Sequence, residues 1–186
     1  MPSAKSQHSR NFFVVTGGPG AGKTTLLVSL AKAGLTITPE AGRAIIRAQR
    51  AIGGPALPDS DPALFAELML GWDMRSYEAA DPSKPTFFDR GIPDTVGYLR
   101  LTGLPVPSHM LSAAERFRYS EAVFILPPWP EIFSTDSERK QTVDEAERTF
   151  EAIRATYGEL GYRLISVPRL PVDERRAFVL TSMGMG

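Results

Sequence analysis

The chain contains no cysteine, which removes disulfides, thiol catalysis and thiolate metal sites from consideration. Neither sign of charge is in excess: Lys+Arg and Asp+Glu each total 21, for a formal net charge of +0. With no global field to attract nucleic acid or an anionic membrane, neither is expected as a partner. No apolar run approaches the ~20 residues needed to span a bilayer. Residues 1–10 are polar and lack the apolar segment of a secretory signal, so they are expected to form a disordered tail on a cytoplasmic protein. Histidine is scarce: His8 falls in that tail and His109 in a Pro-rich loop, and neither has a companion that suggests a metal site. Repeats, low-complexity tracts and Gly/Ser linkers are also missing. Residues 11–186 are therefore expected to form one domain, monomeric or homodimeric and large enough to bury a core.

What the chain does contain is Gly17-Gly18-Pro19-Gly20-Ala21-Gly22-Lys23-Thr24, a glycine followed after four free positions by Gly-Lys-Thr. Residues 12–16 before it read as a buried strand, and residues 25–33 after it as a helix stopped at Gly34. Glycines let the backbone fold tightly around an oxyanion. Loop N–H groups and the helix N-terminus then point at phosphates. This arrangement assigns residues 17–25, Thr25 included, to ATP binding, with Lys23 on the β/γ-phosphates and the Thr24 hydroxyl on Mg²⁺.

Further along, residues 35–38 read as a second strand ending at Pro39-Glu40, and 41–52 as a helix broken by Gly53-Gly54-Pro55. Residues 63–79 read as a helix with Leu64, Leu68 and Trp72 on one face, and 85–88 as a third strand running into Asp89-Arg90-Gly91. A helix over 93–101 follows, and Ser112 with Glu115 reads as a capping box opening another. Residues 122–126 form a fourth expected strand. Thr142 and Glu145 make a second capping box, for a long helix whose Val143, Ala146, Phe150, Ile153, Tyr157 and Leu160 form one apolar stripe. A fifth strand over 162–167 and a helix over 171–183 complete the chain. The alternation predicts an α/β three-layer fold, a five-stranded parallel sheet with helices on both faces. Ligands of such sheets bind beyond the carboxyl ends of the strands. The phosphate loop, Glu40, Asp89-Arg90, the segment after Pro128 and the loop at Pro168-Arg169 are thus expected to converge.

Asp89 follows an apolar strand, where a carboxylate would help to hold Mg²⁺. Arg90 could clamp a phosphate or a hydroxyl-bearing substrate bidentately, or pair at the surface with Asp89 or Asp94. Glu40 has two open readings: a base that accepts the proton of an attacking hydroxyl, or a charge favoured by a helix N-terminus. Arg139 and Lys140, in a polar stretch with Asp136 and Glu138, would either close over the nucleotide or lie on a solvated face. Trp72, Asp73, Arg75 and Tyr77 could line an acceptor pocket, although core or surface is the plainer reading of each.

These motifs, with Leu126-Pro127-Pro128-Trp129-Pro130-Glu131-Ile132 and Glu138-Arg139-Lys140-Gln141, resemble a family of small bacterial predicted ATPases of AAA-type P-loop architecture over nearly the whole chain. The motif order is also similar to that of deoxynucleoside, cytidylate and thymidylate kinases. The resemblance implies a base at Glu40, an acidic-Arg pair at Asp89-Arg90 and a lid at Arg139-Lys140. Gly91 departs from it, standing where those kinases usually carry Ser or Tyr. The expected function is Mg²⁺-ATP-dependent phosphoryl transfer to a nucleoside, nucleotide or similar small metabolite. The alternatives are an ATPase or nucleotide switch acting on a protein, and a binding module without catalysis.

Overall fold

A computed structural model describes residues 7–132 and 142–184. Five parallel strands form the main sheet: β2 (Phe12–Gly17), β3 (Thr36–Thr38), β4 (Thr86–Asp89), β6 (Ala122–Leu126) and β7 (Arg163–Ser166), in the order β3-β4-β2-β6-β7. Two short strands, β1 (Gln7–His8) and β5 (Phe117–Arg118), pair in parallel beside it. The expected disordered tail over residues 1–10 is corrected there, because Gln7 and His8 already pair and Ser9 is buried.

The central strand is apolar on both faces, as a sheet covered twice requires. Phe12 and Val14, with Phe88, Val123 and Ile125, face α3 (Pro62–Ala79), α4 (Ile92–Leu101), α5 (Ser108–Arg116) and α6 (Val143–Glu159). Phe13 and Val15, with Phe87, Phe124 and Leu126, face α1 (Lys23–Lys32) and α7 (Val172–Ser182). A third, smaller cluster joins Ala41 and Ile45 of α2 (Ala41–Ile52) to Phe65. Each fully buried Leu or Phe contributes about 1.5–3 kcal/mol, so both layers hold the sheet from either side.

Strand order reverses at β2: the chain first builds β3 and β4 on one side, then β6 and β7 on the other. The crevice at such a reversal lies beyond the strand's carboxyl end, which here is Gly17.

Two local expectations are corrected, the Ser112–Glu115 capping box and Val143 in the α6 stripe. The fifth helix starts at Ser108 after Pro107, so Ser112 and Glu115 sit inside it and form no capping box. Leu64, Leu68 and Trp72 do share one face of α3, the exposed one, while the helix buries Phe65, Ala66, Leu70, Asp73 and Tyr77. On α6 the Thr142–Glu145 capping box does form, with Thr142 N–H donating to Glu145 at 2.7 Å and Glu145 N–H to Thr142 at 3.2 Å. Val143, however, is exposed, and Thr156 joins the buried face.

Candidate active site

The phosphate loop runs from Gly17 to Gly22, between the end of β2 and the first turn of α1. Close approach dictates its glycines. A Cβ on Gly17, which has φ 135°, would collide with the Leu126 carbonyl oxygen. One on Gly18 would stand 2.5 Å from the Ala146 carbonyl oxygen of α6. Gly22 caps α1 in the left-handed region with no side-chain cap, and no acid occupies the first turn. The first N–H groups of α1 are thus left to an anion. Lys23 is buried, and its Nζ donates to the carbonyls of Gly17 at 3.0 Å and Gly18 at 2.7 Å. Burial, with Arg90 adding to it, lowers the amine to about 7, against the pull of Glu40, Asp89 and Asp94.

Beside the loop, β4 delivers Asp89 opposite Val15 of β2. The Asp89 Oδ1 atom is buried and has no hydrogen-bond partner among the described residues. Burial and then the charge of Glu40 push the carboxyl up to about 6. Arg90 follows in the left-handed region at φ 71°, unfavourable for a residue with a Cβ. Its Nε donates to Glu40 Oε1 at 3.2 Å and its Nη1 to Asp94 Oδ1 at 3.1 Å. Glu40 stands at the N-cap of α2 but caps nothing with its side chain, which lies instead between Arg90 and Arg43, the latter at 3.1 Å. Burial works to raise Glu40, but Arg90, Lys23 and Arg43 outweigh it and hold the carboxylate below its usual range.

Asp94 ties the cluster together. Its carboxylate accepts from Thr16 of β2, from the Gly91 N–H at 3.0 Å, from Arg90, and from the Tyr157 hydroxyl of α6 at 2.6 Å. The backbone strain at Arg90 is therefore held by bonds on both sides of its guanidinium.

Residues 12–175 match a family whose model is described as an AAA domain. The chain belongs to that family. No curated protein matches it in sequence. Among solved structures this AAA-domain protein is similar to deoxyadenosine kinase from M. mycoides, with a TM-score of 0.64, 13% identity, and coverage of 93% of this chain and 98% of that one. It is similar to thymidylate kinase from Ehrlichia chaffeensis, with a TM-score of 0.61, 16% identity, and coverage of 95% and 100%. A NadR protein in complex with NR gives 0.65 and 18% identity over 95% of this chain and 52% of that one. At such identities the likeness establishes the fold alone.

In the AAA-domain protein, then, Lys23, Glu40, Asp89 and Arg90 come together as the sequence leads one to expect, within electrostatic range of one another. Thr24 is exposed at the start of α1. The donors present fit a magnesium nucleotide: an unpartnered buried carboxylate oxygen on Asp89, a free hydroxyl type at Thr24, and a glycine cradle that admits no Cβ. Arg139 and Lys140 lie outside the described residues. Of the segment after Pro128, Ile132 reaches the phosphate loop, its side chain 3.2 Å from where a Cβ on Gly22 would stand, while Pro127, Pro128 and Arg169 line a cleft of about 260 Å³ with Glu147, Phe150 and Glu151. No described helix is long and apolar enough to cross a membrane.

Asp94 is anticipated only as a surface partner of Arg90; the pairing is present but buried, and its bonds to Thr16, the Gly91 N–H and Tyr157 go beyond that expectation. Arg175 left no signal in the sequence. It comes from α7, donates from Nη1 to the Gly22 carbonyl at 3.2 Å, and lies 5.3 Å from the centre of the Trp129 ring. It is 4% exposed, and burial lowers its pKa. The departure at Gly91 also finds its cause: a Cβ there would stand 2.9 Å from the Tyr119 ring, which occupies the space a Ser or Tyr would use.

Proposed function

We propose that the protein is a Mg²⁺-ATP-dependent phosphotransferase acting on a small hydroxyl-bearing metabolite of nucleoside or nucleotide type. The observation that carries this reading is the Glu40 carboxylate, turned away from its own helix end and towards Arg90 and the phosphate loop. A helix-terminal charge has no need of that geometry, whereas a phosphoryl acceptor does.

In this reading the loop N–H groups and Lys23 hold the β- and γ-phosphates, while Thr24 and Asp89 are the residues that would hold Mg²⁺. Bound there, the ion supplies neutralisation of developing phosphate charge. Glu40 accepts the proton of the acceptor hydroxyl as its oxygen bonds to the γ-phosphorus. The bridging oxygen leaves with its electron pair on ADP. Arg90, held by Glu40 and Asp94, orients the acceptor, so the protein contributes chiefly position and charge. The deoxyadenosine and thymidylate kinases of the same fold act on acceptors of this type, which supports the class without naming the compound.

The test is ADP release from Mg²⁺-ATP with a panel of nucleosides, nucleotides and sugar-like alcohols. An acceptor that accelerates release by about 100-fold or more, with the gain lost in Glu40→Gln, is the expected outcome. Turnover that no acceptor alters would point instead to an ATPase acting on a protein partner.

A further inference from the structure

Around Arg90 the described charges are already paired. Glu40 takes its Nε and Asp94 its Nη1. The Arg43 Nε is already committed to Glu40, and Lys23 is committed to the phosphate loop. Asp89 lies alongside with an unpartnered oxygen. Each of these cations thus already faces carboxylate or carbonyl oxygen, three described cations against three carboxylates.

A further carboxyl completes the ring. Asp73 sits on the inward face of α3, the helix that packs against α4. It is 8% exposed, and its carboxyl is in no hydrogen bond or ion pair with the described residues. Asp94, Arg90, Asp89 and Glu40 all lie within its electrostatic range. A buried carboxyl without a partner is costly and calls for an explanation. Packing does not supply one, since Leu70 and Tyr77 on the same face fill the core with apolar or aromatic bulk. Nor does a metal: among the described residues no group of three acids is placed to hold an ion. Burial, followed by the charge of Asp94, pushes the Asp73 carboxyl well above the usual carboxylate range, so it stands ready as a neutral hydrogen-bond donor or as the counter-charge to a cation.

We infer that the acceptor is an unphosphorylated, non-anionic hydroxyl compound, uncharged or cationic, and that Asp73 is a specificity-determining residue that binds its far end. An acceptor phosphate would need a guanidinium or ammonium group free to receive it, as phosphate recognition ordinarily does. Here Arg90 is already shared between two carboxylates. The inference deepens the phosphotransferase reading and rests on it.

The experiment compares each nucleoside with its own 5′-monophosphate as acceptor for the full-length protein, reading ADP release with saturating Mg²⁺-ATP. The unphosphorylated member should give a kcat/KM at least about tenfold higher, since burying an unpaired anion costs more than that factor requires. Asp73→Asn should raise KM for that acceptor ~10-fold, leave KM for ATP unchanged, and leave the thermal midpoint equal or higher. That split separates a binding role from a structural one. A monophosphate used as well as or better than its nucleoside overturns the inference while leaving the kinase reading in place. Unchanged acceptor KM in Asp73→Asn overturns the assignment of Asp73. ADP release that no acceptor of either kind accelerates overturns the kinase reading itself, and the inference with it.

Discussion

At the phosphate end of the site, Lys23 leans on two backbone carbonyls and Asp89 keeps an unpartnered buried oxygen. At the acceptor end, Arg90, Glu40, Asp94, Thr16 and Tyr157 are closed into a continuous set of pairs. The first region is short of partners and the second is saturated with them. Burial makes the difference matter, because an unpaired polar group in a low-dielectric site stores free energy that a ligand can release. In the proposed reading the unsaturated groups are those that would take up triphosphate and cation. The saturated ones hold a strained Arg90 in place, so its position and that of Glu40 are set before any ligand arrives.

The largest effect is expected where the saturated set is broken at its centre. Asp94→Ala strips the acceptor from Arg90, Thr16, Gly91 N–H and Tyr157 at once. Removing one partner of a buried pair typically costs about 3–5 kcal/mol. Chemical denaturation should show a loss of that order, and a loss below about 1 kcal/mol would mean that the pairs are dispensable. The phosphate end should respond in the opposite way. Lys23→Ala should reduce productive ATP use by about 100-fold to 1,000-fold, the usual effect of deleting one preorganised charge, while the folded protein stays at least as stable. The reason is that a buried amine already lowered to about 7 contributes little to the fold. Turnover close to wild type in that variant would remove the central claim.

The two regions also differ in how far the sequence announces them. The phosphate loop is contiguous, and its strand, glycines and helix can be read in order over residues 12–33. Asp89-Arg90 could be anticipated because an acidic-basic pair terminates an apolar strand. The hub behind them could not, because Asp94 meets Thr16 across 78 residues and Tyr157 across 63, and pattern reading carries no distance information. A shared helix face can be read from spacing, but not whether it points inward: Leu64, Leu68 and Trp72 share the outward face of α3, and the inward face carries Asp73 among its apolar residues. Arg175 is hidden in the same manner, an arginine on the buried face of a helix that reads as ordinary and amphipathic. The Ser112–Glu115 spacing matched a capping box inside a helix, since the same three-residue offset recurs on any helical face.

The smallest effect is one of sign, and it sharpens the contrast between the two ends. The Asp89 carboxyl is raised from 3.8 to about 6, chiefly by burial and then by Glu40. The folded protein therefore binds more protons than the unfolded chain between those two values, and its stability falls as pH rises through that window. Above it the penalty is fully present, so nucleotide-free Asp89→Asn should be more stable than wild type at pH 7 to 8, by on the order of 2 kcal/mol, with the gain fading towards pH 4. Part of the gain is offset because Asp89 also supports the charge of Lys23, which sits lower still without it. The same variant should lose Mg²⁺-dependent turnover, a stability gain bought with function. Thermal midpoints across pH in the absence of nucleotide decide the matter. A variant less stable than wild type at pH 7 would show that the Asp89 carboxylate has a structural partner, and the two ends of the site would then be alike.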